Sequence, residues 1–118
     1  MKYLLLVYGN EQAWTEQERQ ECYVESTQLA QDLHATGNYL AANPLQPVTT
    51  ATSVKVRDGK KLVTDGPFAE THEQLGGYFL IEAGHLDEAI QIASRIPAAR
   101  VGTIEIRPIV EIPNLPPV

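Results

Sequence analysis

Apolar positions along the 118-residue chain follow three rhythms, and each predicts a different kind of element. Tyr3 to Tyr8 (YLLLVY) and Tyr78 to Ala83 (YFLIEA) show little or no alternation. A strand that is apolar on both sides must be covered on both, so these two runs belong at the centre of a sheet. Thr103 to Arg107 alternates strictly, with Ile104 and Ile106 on one side and Thr103, Glu105 and Arg107 on the other. Ser53 to Val63 (SVKVRDGKKLV) holds two alternating runs around Asp58-Gly59, the pair favoured in type I′ hairpin turns. Such a turn sets Val54 opposite Val63, with Val56 on their side and Lys55, Arg57 and Lys60 on the other.

The third rhythm is helical. Leu86, Ala89, Ile90, Ala93 and Ile96 recur at helical spacing, with Asp87 and Glu88 in the first turn and Pro97 as a stop. A longer helix is predicted from Glu16 to Thr36, with Tyr23, Ser26, Leu29, Ala30 and Leu33 along one stripe. Thr15-x-x-Glu18 has the form of a capping box, and Gly37 supplies a left-handed stop. Asn38 to Leu45 (NYLAANPL) reads as a short strand broken by Pro44 and Pro47.

The order β-α-β-hairpin-β-α-β predicts an α+β fold in one domain over residues 1–118. Its form is a ferredoxin-like βαββαβ unit with an inserted β-hairpin, in which two helices cover one face of an antiparallel sheet. The other face then carries too much Leu, Val and Phe to remain in water. Self-association answers this, as a homodimer with sheets packed face to face.

Charge and composition narrow the partners. The chain has 15 acidic and 9 basic residues, a net charge of −6, and its cations are scattered, which argues against direct nucleic-acid binding. Cys22 is the sole cysteine, so no internal disulfide or thiolate metal cluster is possible, and a small core filler is the simpler reading than a nucleophile. The opening apolar run stops at Tyr8, short for a secretory leader, and no stretch approaches the roughly 20 apolar residues that cross a bilayer. The expectation is a cytoplasmic protein with no membrane partner.

One connection, Thr64 to Tyr78 (TDGPFAETHEQLGGY), concentrates special residues. Asp65-Gly66-Pro67 is a turn signal, and Asp65 either accepts the turn's own backbone donors or stands as a carboxylate at a cleft mouth. Phe68 is either a lid on the core or an apolar wall for a ligand. Thr71-x-x-Gln74 suggests a second capping box, opening one helical turn that Gly76 ends. Glu70, His72 and Glu73 lack a metal-ligand spacing, so no metal is assigned. Gly76-Gly77 fits a tight strand entry and close backbone approach. Tyr8 and Tyr78, at ends of the central strands, bring phenols within reach of a cleft. Glu105 and Arg107 suit an anion inside a barrel, a contact across subunits, or an exposed edge. His34 reads as a surface residue at a helix end.

Asp65 to Ala83 (DGPFAETHEQLGGYFLIEA) resembles the signature of the DGPF group of YCII-related proteins, and MKYLLLVYG, VRDGKKLVTDGPF, LDEAIQIA and IEIRPI fit in the same order. The resemblance implies a dimeric α+β barrel of ferredoxin-like subunits with a cleft between sheet and loops. Some YCII-related enzymes use a His-Asp pair in lyase-like or dehydrochlorinase-like chemistry, and the DGPF group is often associated with extracytoplasmic-function sigma factors. This chain has His72 where lysine is expected and His85 where Asp or Ser would cap the second helix more strongly. The helical histidine of the enzymatic relatives has no match, the nearby aromatic being Tyr23.

Two functions follow as expectations. The first is a cofactor-independent homodimer that binds a small molecule in a cleft rimmed by Asp65, Phe68 and Tyr78, with Tyr8 and His72 beside it. If it is catalytic, isomerase- or lyase-like acid-base chemistry would use Asp65 to take a proton and Arg107 to hold an anion. The alternative is a non-catalytic regulatory module associated with a sigma factor through an acidic surface and the C-terminal arm PNLPPV.

Overall fold

The two uninterrupted apolar runs become the central strands, β1 (Lys2–Gly9) and β5 (Gln74–Glu82), in a computed structural model that describes residues 1–118. They pair antiparallel, Tyr3 opposite Ile81 and Leu5 opposite Phe79. β2 (Tyr39–Pro44) adds to the far edge of β5, and β6 (Thr103–Pro108) adds to β1, giving the order β2-β5-β1-β6. With α1 (Glu16–Ala35) and α2 (Leu86–Ser94) as the connections between strands, this is the ferredoxin-like α+β arrangement the sequence predicts. The four-stranded sheet of one chain is open, not closed into a barrel.

Pleating separates two faces. Tyr3, Leu5, Phe79 and Ile81 point to one side and are buried with Leu29 and Leu33 of α1 and Ala89, Ile92 and Ala93 of α2. The capping box at the start of α1 forms as predicted: Glu18 N–H donates to Thr15 Oγ1 at 3.1 Å, and Thr15 N–H donates to Glu18 Oε1 at 2.9 Å. Gly37 takes φ 81°, the left-handed stop. At α2 the inward stripe is rotated from the predicted one. Ala89, Ile92, Ala93 and Ile96 are buried, while Leu86 and Ile90 remain about half exposed. The two alanines permit the closest approach to the sheet, and the 3-10 turn Pro97–Arg100 tucks in behind Ile96. His85 does cap this helix, its Nδ1 accepting from Glu88 N–H at 3.2 Å.

The inserted hairpin has the predicted register. β3 (Thr52–Arg57) and β4 (Lys60–Asp65) set Val54 opposite Val63, and Asp58 and Gly59 both take positive φ as a type I′ turn requires. These strands pair only with each other. Gly66 at φ 97° closes their base: its N–H donates to Ala51 O at 2.7 Å, and its carbonyl accepts from Ser53 Oγ at 2.8 Å. Val54, Val56 and Val63 are each more than half exposed.

One predicted element is absent. Residues 67–73 form bends with no helical turn, and Gly76 and Gly77 lie inside β5. Thr71 Oγ1 donates to the Glu73 carbonyl at 2.5 Å instead of accepting a helix donor, and Gln74 is already strand, opposite Gly9. The expected close approach at the glycines is present: a Cβ on Gly77 would sit 3.0 Å from the Asn43 carbonyl oxygen.

The second sheet face carries Leu4, Leu6 and Tyr8 of β1, Tyr78 and Leu80 of β5, and Thr103, Glu105 and Arg107 of β6; these side chains are half-buried or exposed, and both helices pack on the other face. The surface reflects this. Accessible area is 8415 Å², against about 6,300 Å² for a typical folded monomer of 13.0 kDa. The radius of gyration is 16.0 Å, where about 13.5 Å is usual for this length. The shape is a slab, 46 × 43 × 20 Å. No helix is long and apolar enough to cross a membrane.

Candidate functional site

The connection after β4 forms one wall of a cleft of 570 Å³, and the β2–β3 connection forms the other. Pro67, Phe68, Ala69 and Thr71 face Leu45, Pro47 and Ser53, with Tyr8 and Leu75 at the sheet end. Phe68 is 86% exposed, so it is no lid on the core of this chain; its ring stands free at the cleft. Gln74 braces the floor, its Oε1 accepting from Glu11 N–H at 3.2 Å and its Nε2 donating to the Thr71 carbonyl at 3.0 Å.

Of the predicted site residues, this cleft gathers Phe68 and Tyr8. Asp65 is exposed at the end of β4, opposite Thr52, and its side chain accepts no hydrogen bond, so the turn is held by backbone and by Ser53 rather than by its carboxylate. Arg107 is on β6, opposite Leu4, on the uncovered sheet face. Asp65 and Arg107 therefore stand on different sheets of one chain. Tyr78 lines a neighbouring cavity rather than the loop cleft, and its hydroxyl accepts from Asn43 Nδ2 at 3.0 Å. His72 is exposed in the loop. Glu73 is tied up structurally, accepting from Thr103 Oγ1 at 2.8 Å and so pinning the loop to β6. No group of three or more His, Cys, Asp or Glu side chains comes together anywhere in the chain.

Sequence reasoning did not find the cavity on the helix side. It has a volume of 310 Å³ and lies between α1 and the sheet, over Ala42, Phe79 and the bare backbone of Gly76 and Gly77. The cause is legible in α1. Its buried anchors are Leu29 and Leu33, in the second half. In the first half the cavity-facing positions are Cys22, Tyr23 and Ser26, spaced by three and four residues, which do not fill the gap as aliphatic side chains would. A neck of 110 Å³, bordered by Trp14, Arg19 and Tyr8, shares Cys22 and Tyr23 with this cavity and Leu45 and Pro47 with the loop cleft.

Polar contacts fix the neck. Glu11 Oε2 accepts from Val48 N–H at 3.0 Å, and Arg19 Nη2 donates to the Glu11 carbonyl at 3.1 Å. At the other end Arg100 clasps Glu25 with two bonds of 2.9 and 3.0 Å, tying α1 to the turn that carries Ala98 and holding the Glu25 carboxyl below its usual range. Cys22 is half-buried, and burial pushes its thiol up from the ordinary value, so it is protonated at neutral pH. That favours the small-filler reading over a nucleophile, although the side chain borders a cavity and not the packed core.

Comparison with known proteins agrees with this architecture. The chain is 33% identical over 114 residues to a protein of Rhizobium meliloti (strain 1021) described as "Uncharacterized protein R00369", covering 92% of each chain. The family model for the YCII-related domain matches residues 1–113. With a match over nearly its whole length, this chain belongs to the YCII-related domain family.

Proposed function

We propose that the protein is a homodimer that binds a small molecule in the cleft at the Asp65–Phe68 loop. The observation that carries this reading is the cleft itself. Phe68, Pro67 and Leu45 present apolar surface around an open space of 570 Å³ with nothing of the chain's own to fill it. A cleft of that size suits a metabolite, and its polar groups, among them Tyr8, Ser53, Thr71 and Gln74, suit orientation of one. Dimerisation is supported by the uncovered sheet face and by the roughly 2,100 Å² of surface in excess of a typical monomer, an amount in the range obligate dimers bury. The unpaired hairpin, with its exposed valines, belongs to the same surplus.

Acid-base chemistry is the further reading of that cleft. Asp65 would take a proton and Arg107 would hold an anionic group. Because these two residues are on separate sheets, this chemistry requires the second copy to bring the Arg107 side of one subunit to the Asp65 loop of the other. The alternative, a regulatory module acting with a sigma factor, draws support from the net charge of −6 and from exposed Val110, Ile112, Leu115 and Val118 on the C-terminal arm.

A thermal-shift screen of metabolites tests the binding reading. A ligand that stabilises the wild type is expected to lose its effect in Phe68→Ala. With Asp65→Asn, binding is expected to persist and any turnover to vanish. A shift that survives Phe68→Ala undiminished overturns the assignment of the cleft. Recovery of a sigma factor in a pull-down at physiological salt, with no metabolite shift, would favour the alternative.

A further inference from the structure

We propose that the β3–β4 hairpin is a clasp that docks by its valine side on the outer face of β6 in a second copy of the chain, where Lys61 meets the partner's Glu105 and Asp65 meets the partner's Arg107. The clasp rests on the homodimer reading above and adds to it the contacts that bring the second copy to the Asp65 loop.

The hairpin has two unlike sides. Residues directly opposite across a ladder share a side, so Thr52 with Asp65, Val54 with Val63, and Val56 with Lys61 stand together. Lys55, Arg57 and Lys60 stand on the other side. The valine side thus carries a cation near the tip and a carboxylate at the base. Its three valines are each more than half exposed, and the two strands pair with no other strand.

Three observations select a second copy as the occupant. The first is charge. Residues 52–65 hold four of the nine basic residues and two of the fifteen acids, which leaves the rest of the chain five cations and thirteen carboxylates. None of the four hairpin cations forms an ion pair within the chain, and neither Glu105 nor Arg107 does. The Lys61 and Asp65 charges complement those of Glu105 and Arg107.

The second is area. Four strands at a spacing of about 4.8 Å, some six residues long, give an outer face of roughly 400 Å² in plan. That is a small part of the roughly 2,100 Å² by which the surface exceeds a typical monomer's, and the hairpin adds to it. The third is position. β2 and β6 are the two edges of the sheet, and the hairpin follows β2 through the short turn Val48–Thr50. Between facing sheets, a two-fold axis parallel to the strands lays the β2 edge of each copy over the β6 edge of its partner. Lys61 and Asp65 are about 13 Å apart along β4, and Glu105 and Arg107 about 7 Å apart along β6. The long lysine and arginine stems span the difference.

Sedimentation velocity over a concentration series tests the clasp. Lys60→Glu and Lys61→Glu make the same charge change at adjacent positions on opposite sides of the hairpin. Each pair occurs twice across the axis, so Lys61→Glu should raise the dimer dissociation constant about tenfold or more, and Lys60→Glu clearly less. Glu105→Lys should weaken the dimer as Lys61→Glu does, and the two together should restore it. Lys60→Glu with Glu105→Lys also restores the net charge but should not rescue. Val54→Thr with Val63→Thr keeps β-branched side chains at exposed positions and covers the case in which a charge variant does not fold; it should also weaken the dimer about tenfold or more. A dimer unchanged by the valine pair, no rescue by Lys61→Glu with Glu105→Lys, or equal rescue by the Lys60→Glu combination would overturn the clasp and leave the dimer standing. A wild type that stays monomeric throughout would overturn both.

Discussion

Leu5 and Leu6 are neighbours on β1 that point to opposite faces, and this makes them a matched pair of tests for the proposed dimer. Leu5 is wholly buried among α1, α2 and β5. Leu6, opposite Tyr78 and Glu105, lies on the outer face, away from both helices. Leu5→Ala removes a core side chain and leaves a cavity, costing about 3–5 kcal/mol. For a domain of this size that lowers Tm by roughly 10–20 °C, at about 4 °C per kcal/mol. Leu6→Glu acts elsewhere. In an open monomer it falls on a half-buried position of the outer sheet face and costs about 1 kcal/mol, the ordinary size of a single substitution. In a two-fold dimer the substitution occurs twice, and each copy places an unpaired carboxylate in an apolar seam, costing about 1.5–3 kcal/mol. The loss of roughly 3–6 kcal/mol raises the dissociation constant about 10²- to 10⁴-fold. Sedimentation velocity over a concentration series measures this, with unfolding followed at one fixed protein concentration because association and stability are linked. Leu6→Glu should sediment as a lighter species at concentrations where Leu5→Ala still associates. If Leu6→Glu sediments as the wild type does throughout the series, no second copy covers that face.

Three further outcomes follow from the geometry. Gly77→Ala places a methyl group against the Asn43 carbonyl and the Pro44 Cα, both backbone atoms that cannot swing aside, and should destabilise the fold by about 1–3 kcal/mol in chemical denaturation. Cys22 should react slowly with iodoacetamide at pH 8, faster only as pH approaches its raised value, and at the ordinary thiol rate in denaturant. Its linkage has a definite sign: folding favours the protonated thiol, so that contribution is full below the unfolded thiol's pKa and is lost as pH rises through the folded one. Thr15→Ala should cost about 1 kcal/mol through loss of the cap. Glu18, held below its usual range chiefly by the Thr15 backbone N–H, stabilises the fold above its unfolded pKa and loses this as pH falls through its lower folded value. Glu18→Gln, which removes the titrating group, should therefore show a shallower acid-side decline in a pH series of melting curves, whereas Thr15→Ala, which keeps the backbone N–H, should retain most of the decline.

The fold was legible because its strands differ in patterning. Unbroken apolar runs placed β1 and β5 at the centre, strict alternation placed β6 with one open side, and Asp58-Gly59 fixed the hairpin register to the residue. The missing helical turn at Thr71 shows where local signals give way: a capping pattern is a preference of a few residues, and pairing of Gln74 with Gly9 outweighs it. The exchange of Ile90 for Ile92 on the buried side of α2 has a similar origin, since helical spacing leaves a rotation of one position open until the alanines meet the sheet. Within the loop cleft, Phe68 and Tyr8 were readable from the crowded Asp65–Tyr78 stretch. The helix-side cavity was not, because Cys22, Ala42, Gly77 and Ala98 come from four separate segments. The one local sign was in α1, where Cys22, Tyr23 and Ser26 border the cavity ahead of the first buried leucine.

Sedimentation equilibrium of the wild-type chain is the most direct test of the claim that a second copy shelters the open sheet. The account predicts a particle of about twice the 13.0 kDa chain mass, persisting into the micromolar range. A stable 13.0 kDa species at every concentration, with Leu4, Leu6 and Leu80 left facing water, would contradict it.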